Sequence, residues 1–131
     1  MPRFLILAEG QFGPLTSKTA NSCIRYTPDR VTAVIDSRRA GRTSQQVLGF
    51  GGAIPVVASV EAGLMQKPRP DALLIGVAPT GGKLPAEWRT MVLAAIDNGL
   101  ESWSGLHAFI SDDPECAARA RAKNVVLHDL R

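Results

Sequence analysis

Short apolar runs alternate with helical patterns six times along this chain, and this alternation constrains the fold more than any other feature. Two of the runs, Val31–Asp36 and Ala72–Val77, are almost continuously apolar, which is typical of strands that helices cover on both faces. The six predicted strands are Phe4–Ala8, Val31–Asp36, Pro55–Ala58, Ala72–Val77, Leu100–Ser104 and Val125–Asp129.

Four helical segments lie between these strands and carry recognisable start and stop residues. Ser59 is a predicted N-cap, and a third helix opens with Pro85 and stops at Gly99. The predicted helices are Ser17–Tyr26, Ser59–Gln66, Pro85–Asn98 and Asp112–Lys123. Strand–helix alternation at this spacing predicts right-handed βαβ units and hence a Rossmann-like three-layer α/β fold. We expect a mostly parallel sheet of about six strands with helices on both faces, in a single domain spanning residues 1–131.

Composition and charge narrow the range of partners. No apolar run approaches the roughly 18 residues of a membrane-spanning helix, so we expect no membrane partner. The net charge of +3 is scattered and lacks a set of stacking aromatics, so we expect no nucleic-acid partner either. Cys23 and Cys116 lack any metal-binding spacing, which predicts no metal site and buried free thiols in a reducing cytoplasm.

Ligands of open α/β sheets bind beyond the carboxyl ends of the strands, where the strand order reverses, and four loops should gather there. The first loop runs from residue 9 to residue 19 and holds glycines, hydroxyls and a lysine at a helix start, which suits an anion. It matches neither GxGxxG nor GxxxxGK[ST], and the alternative is a capped helix start with an exposed lysine. Its candidate residues are Gly10, Gly13, Lys18 and Thr19.

The second loop, Ser37–Gly52, is polar and glycine-rich, and we expect a functional loop with at most a short helix. Asp36 stands just before it, at the strand end where an acid commonly accepts hydrogen bonds from a ribose. Arg38, Arg39 and Arg42 follow, and guanidinium groups suit phosphates or carboxylates. The alternative is a solvated loop in which Asp36 caps a turn.

The third and fourth loops follow the fourth and fifth predicted strands. Gly81 and Gly82 permit close approach of a ligand, although a tight turn alone would also need them. His107 is a weak catalytic candidate as an acid or base, and a structural histidine is the alternative. The candidate residues are Ala78, Pro79, Thr80, Gly81, Gly82 and Lys83 in the third loop, and Ser104, Gly105 and His107 in the fourth.

Several phrases of the sequence together resemble a known family. They are Lys18–Ala20, Val34–Ser37 followed by Ala40–Gly41, Ile54–Val57, Ile75–Pro85, Glu87–Arg89, Ser104–His107 and Ser111–Glu115. In this order and spacing they resemble the N-terminal Rossmann-like domain of a two-domain family that continues into a C-terminal P-loop domain. That family includes D-glutamate N-acetyltransferases, and many members carry the loose label NAD-dependent epimerase/dehydratase. The resemblance runs from about Leu7 to Arg131.

The resemblance implies a recognition role that is completed by another domain. The family's P-loop domain would begin shortly after Arg131, so we expect either an excised domain or a natural stand-alone copy. Acetyl transfer would then belong to the complete protein, and this chain would not be catalytic alone. Its loops would bind a small-molecule ligand, either part of a nucleotide-bearing cofactor such as acetyl-CoA or the amino-acid substrate.

Two alternatives come from other functional classes. An NAD(P)-binding oxidoreductase module would bind a nicotinamide cofactor, but the absence of GxGxxG makes NAD(P) the less expected cofactor. A structural module would instead mediate assembly, with Met91, Val92 and Ala95 docking a second copy or the missing P-loop domain. A homo-oligomer is expected, because removal of a partner domain would expose apolar surface.

Overall fold

A computed structural model describes residues 2–76, 85–104 and 114–129, apart from the side chains of residues 104, 128 and 129. Its six strands are β1 Phe4–Leu7, β2 Val31–Ile35, β3 Val56–Val57, β4 Ala72–Ile75, β5 Glu101–Ser104 and β6 Leu127–Asp129. They form one sheet in the order β3-β2-β1-β4-β5-β6, and every neighbouring pair is parallel. The predicted α/β class, parallel sheet and approximate strand count are confirmed.

In the described parts of the chain, five α-helices accompany the sheet. They are α1 Lys18–Tyr26, α2 Ser44–Leu48, α3 Val60–Leu64, α4 Ala86–Asp97 and α5 Pro114–Lys123. The hydroxyl of Ser59 accepts a hydrogen bond from the N–H of Ala62 at 3.1 Å, as expected of the predicted N-cap. Gly99 follows α4 with a φ of +82°, a backbone angle that glycine adopts easily. The predicted start of the last helix at Asp112 lies outside the described residues.

Helices cover both faces of the central strand. All four residues of β1 are buried, and successive side chains of a strand point to opposite faces of the sheet. On one face Leu5 packs against Gly63 of α3, and on the other Ile6 packs near Ala20 of α1. The sheet is therefore the middle layer of the three-layer fold predicted from the apolar runs.

The polar segment after β2 is folded tightly against the domain. Helix α2 is five residues long, and a capping box formed by Thr43 and Gln46 starts it. The N–H of Val56 donates to the carbonyl of Arg42 at 2.9 Å, and the guanidinium of Arg25 lies 4.5 Å from the centre of the Phe50 ring. The short helix agrees with the prediction, and the contacts attach the segment to β3 and α1.

The apolar residues proposed for docking require a correction. Val92 and Ala95 of α4 are fully buried in the domain's own core, so they offer no surface to a second copy. They pack inward because they lie on the side of α4 that faces the sheet. Cys116 is buried and Cys23 is half-buried, and both are free thiols.

Among the described residues, no helix is long and apolar enough to cross a membrane.

Candidate functional site

Asp36 sits at the carboxyl end of β2 and is completely buried. Its Oδ1 accepts hydrogen bonds from the backbone N–H groups of Gly10 at 3.1 Å and Arg38 at 3.0 Å. Its Oδ2 accepts from the N–H of Phe12 at 3.0 Å and from Nη1 of Arg39 at 3.1 Å. A carboxylate offers about four lone-pair sites, so these four donors fill Asp36.

The turn after β1 is shaped to reach this carboxylate. Gly10 has a φ of +75°, a left-handed angle that costs other residues about 1–2 kcal/mol. This angle directs the N–H groups of Gly10 and Phe12 toward the end of β2. Asp36 therefore fixes the loop after β1 relative to the loop after β2.

Glu9 is a second carboxylate at the same edge of the sheet, and described residues occupy only about half of its hydrogen-bond acceptor positions. It lies two positions after the end of β1, beyond Ala8, and is 8% exposed. One oxygen accepts the N–H of Ser37 at 2.8 Å, and the other accepts the hydroxyl of Ser37. Each oxygen therefore keeps about one lone pair that no described residue occupies.

A cleft of about 450 Å³ opens at this edge. It lies between the loop after β1, the end of β2 and the first turn of α4. Strands β1 and β4 are neighbours in the sheet, and the chain after β1 leads to a helix on one face while the chain after β4 leads to a helix on the other. The cleft therefore lies at the point where the strand order reverses. The described residues that line it are Glu9, Gly10, Gln11, Ser37, Arg38, Pro85, Glu87 and Trp88.

Arg38 brings a positive charge to the rim of the cleft. Its Cζ and Nε atoms each lie 3.9 Å from the position that a Cβ on Gly10 would take. Within the described parts of the chain, no carboxylate oxygen of Glu9 or Glu87 lies within 4 Å of its guanidinium nitrogens. Arg39 differs, because its guanidinium is paired with Asp36. Arg38 is therefore the arginine of this loop that lines the cleft, and neither Glu9 nor Glu87 forms an ion pair with its guanidinium.

The candidates of the second loop separate into two groups. Arg38 lines the cleft, and Asp36 lies beneath it as the hydrogen-bonded support described above. Arg39 and Arg42 are not among the lining residues. A ribose would reach the carboxylate of Asp36 by displacing one of its four donors, so the ribose role stays a prediction.

The candidates of the first loop separate similarly. Gly10 lines the cleft, whereas Gly13, Lys18 and Thr19 do not. The N–H of Gly13 donates to the Ser17 hydroxyl at 3.1 Å, and the carbonyl of Gly13 accepts from Nδ2 of Asn21 at 2.9 Å. The polar groups around Gly13 are therefore engaged with one another, while Lys18 and Thr19 are exposed on α1.

Two candidate loops fall mainly outside the described residues. The residues concerned are Ala78, Pro79, Thr80, Gly81, Gly82, Lys83, Gly105 and His107. The backbone of Ser104 ends β5, and its side chain is not described. Their roles stay predictions.

Six of the described cleft residues are not among the candidates named from the sequence: Glu9, Gln11, Ser37, Pro85, Glu87 and Trp88. An acid directly after a buried strand was a usable signal for Glu9, since a charged residue there must face the carboxyl edge or find donors. Ser37 is recognisable only through its bonds to Glu9, which lies 28 positions earlier. Glu87 reaches the cleft because α4 starts there.

Comparisons with known proteins agree with this architecture. A family model described as a domain of unknown function, the DUF1611_N Rossmann-like domain, matches residues 37–131. A protein of Tritonibacter scottomollicae named D-glutamate N-acetyltransferase is 44% identical over 59 residues, which are 45% of this chain and 18% of that protein. The crystal structure of a DUF1611 family protein from Anabaena variabilis superposes with a TM-score of 0.89 at 30% identity. It covers all of this chain, which spans 37% of that protein.

Proposed function

This chain belongs to the DUF1611_N family of Rossmann-like domains, and on that premise we propose that it is the ligand-recognition domain of a D-glutamate N-acetyltransferase-type protein. Its cleft binds part of a nucleotide-bearing cofactor, such as acetyl-CoA, or the amino-acid substrate. Acetyl transfer itself requires further parts of a longer protein, which include a P-loop domain. The short spans of this chain in both relatives support that division of labour.

The observation that carries the proposal is the way in which Asp36 supports the cleft. This one buried carboxylate holds the backbone of Gly10 and of Arg38, and both residues line the cleft. A site whose backbone is held by buried hydrogen bonds loses little entropy when it binds a ligand. The same network keeps the charge of Arg38 at the rim, where it is available to a carboxylate or phosphate.

The two alternatives, an NAD(P)-binding oxidoreductase module and a structural assembly module, receive less support. A nicotinamide cofactor would be expected to place a ribose on Asp36, whose lone pairs four protein donors already use. A purely structural module would need an apolar docking face, and two of the three residues suggested for it, Val92 and Ala95, are buried in the core.

A thermal-shift screen tests the proposal directly. The chain is melted alone and with acetyl-CoA, NAD, NADP, ATP, D-glutamate or L-glutamate. A ligand at one hundred times its dissociation constant stabilises a fold by about 2.7 kcal/mol, which raises the melting temperature by several degrees. We expect a shift with acetyl-CoA or with glutamate. A shift with none of the six compounds would contradict the proposal and favour a scaffold.

Two arginines of one loop provide a matched pair of variants. Arg38 lines the cleft, whereas Arg42 is likewise exposed and is not among the described lining residues. We expect Arg38→Ala to remove most of the ligand-induced shift and Arg42→Ala to leave it unchanged. Equal losses in both variants would mean that charge in general, and not this cleft, attracts the ligand.

A further inference from the structure

We propose that the cleft takes a ligand that carries an ammonium group beside a carboxylate, as an α-amino acid does, with Glu9 binding the ammonium and Arg38 the carboxylate. This inference rests on the proposed function and chooses between its two kinds of ligand. It assigns the described cleft to the amino-acid substrate, and it leaves the cofactor's pyrophosphate to a different part of the complete protein.

Glu9 is a buried acceptor of this cleft whose carboxylate keeps lone pairs that no described residue occupies. Ser37 takes about one lone pair from each of its carboxylate oxygens and thereby fixes the orientation of the group. An ammonium group has three N–H donors and accepts no hydrogen bonds, so it fits the two remaining lone-pair positions. Asp36 cannot take this role without losing one of its four donors.

Arg38 supplies the opposite charge on the same cleft. A guanidinium group binds a carboxylate through two parallel N–H···O bonds. In the described residues Arg38 forms no ion pair with Glu9 or Glu87, although all three line the cleft. The Arg38 guanidinium and the Glu9 carboxylate therefore do not neutralise each other. Each can pair with the opposite charge of a ligand that carries both signs.

The charges of the described lining residues disfavour a pyrophosphate in this position. Among those residues, two carboxylates, Glu9 and Glu87, accompany one guanidinium, that of Arg38. A pyrophosphate would place its negative charges near both carboxylates, and such repulsion grows as solvent is excluded. The volume of about 450 Å³ lies toward the lower end of the range for small-molecule sites, about 300–1,000 Å³.

Calorimetric titration of the chain with D-glutamate and with glutarate tests the inference. Glutarate keeps both carboxylates and lacks the amino group. We expect it to bind at least about tenfold more weakly, since a charge-assisted hydrogen bond contributes about 1.5–3 kcal/mol and 1.4 kcal/mol is tenfold. This comparison uses the unaltered chain, so it does not depend on any variant folding. Equal affinities would overturn the inference.

Glu9→Gln tests which residue recognises the ammonium. A glutamine can still accept the Ser37 N–H and donate to the Ser37 hydroxyl, so the local bonds are kept. We expect it to abolish the preference for glutamate over glutarate, whereas Glu61→Gln, at an exposed position of α3, should leave that preference intact. A preference that survives Glu9→Gln would overturn the assignment.

The outcomes separate this inference from the proposed function. If acetyl-CoA binds and its affinity falls in Arg38→Ala, while D-glutamate does not bind, the recognition role stands and the amino-acid assignment fails. If D-glutamate binds with the stated preference over glutarate, both stand. If none of the compounds binds, both fail.

Discussion

The carboxylate of Asp36 accepts a hydrogen bond from the backbone N–H of Gly10 at 3.1 Å, across 26 positions of sequence. This bond joins the end of β2 to the turn after β1. With its three companion bonds it gives a buried charge a complete set of donors, which is the condition under which a buried carboxylate is tolerated. The shape of the cleft therefore depends on a residue that lies beneath its lining.

Asp36→Asn should lower the free energy of unfolding by about 2–4 kcal/mol, because hydrogen bonds to a buried charge are strong and the new amide N–H₂ would face donors. Urea denaturation measures the change. Asp71→Asn is the matched control, since Asp71 is exposed and accepts one bond, from the N–H of Arg3. We expect the control to change stability by less than about 1 kcal/mol. Equal losses would contradict the central support assigned to Asp36.

A substitution at Gly63 of α3 tests how closely this helix packs against the sheet. Alanine would improve the helix propensity by about 1 kcal/mol, but its Cβ would lie 2.5 Å and 2.7 Å from the two Cδ atoms of Leu5. We therefore expect Gly63→Ala to destabilise the fold by about 1–3 kcal/mol.

Leu5→Val removes the two Cδ atoms and provides the second arm of a double-mutant cycle. The double variant Leu5→Val/Gly63→Ala should be more stable than the sum of the single effects predicts. Thermal or urea denaturation of the four proteins gives the coupling energy. Additive effects would show that α3 does not press on Leu5 as described.

The two thiols should differ in reactivity. Burial raises the pKa of Cys23, while a contact with the Thr27 hydroxyl at 3.5 Å opposes this only partly. Because the thiolate is the nucleophile, labelling of native Cys23 by an aromatic disulfide reagent should rise with pH around a midpoint above that of a free thiol, about 8.5.

Cys116 is fully buried and should react only after denaturation. Cys23→Ser should therefore remove the native labelling phase and leave one thiol that reacts in denaturant. Rapid labelling at neutral pH in the unaltered chain, or a native phase that survives Cys23→Ser, would contradict this arrangement.

Sequence patterns were sufficient to predict the strands and helices, because the type and the ends of each element depend mainly on residues that are near in sequence. The apolar runs at Phe4–Ala8 and Ala72–Val77 indicate strands buried on both faces, and Ser59 indicates a helix start. The strands of the structure lie within the predicted ranges, although β3 is shorter than expected, with only Val56 and Val57. Its N-terminal neighbour Pro55 has no N–H to contribute to a ladder, and it forms an antiparallel bridge with Thr43 instead.

The candidate site was harder to predict because its contacts are long-range. Nothing near Asp36 in sequence shows that donors at positions 10 and 12 will fill its carboxylate. Likewise, a row of arginines does not reveal that Arg39 pairs with Asp36 while Arg38 faces the cleft. Sequence analysis predicted a ligand site beyond the carboxyl ends of the strands, and the cleft opens at that edge of the sheet. Which side chains support the cleft and which line it needed three-dimensional coordinates.

Amide chemical shifts of the ¹⁵N-labelled chain, recorded while the compound with the largest thermal shift is added, test the central claim most directly. We predict that the largest changes occur at Gly10, Ser37, Arg38 and Glu87, which line the cleft. Amides of α2, such as Val47, should stay unchanged. Changes concentrated on α2 or α5, with the cleft amides unaffected, would contradict the assignment of this cleft as the recognition site.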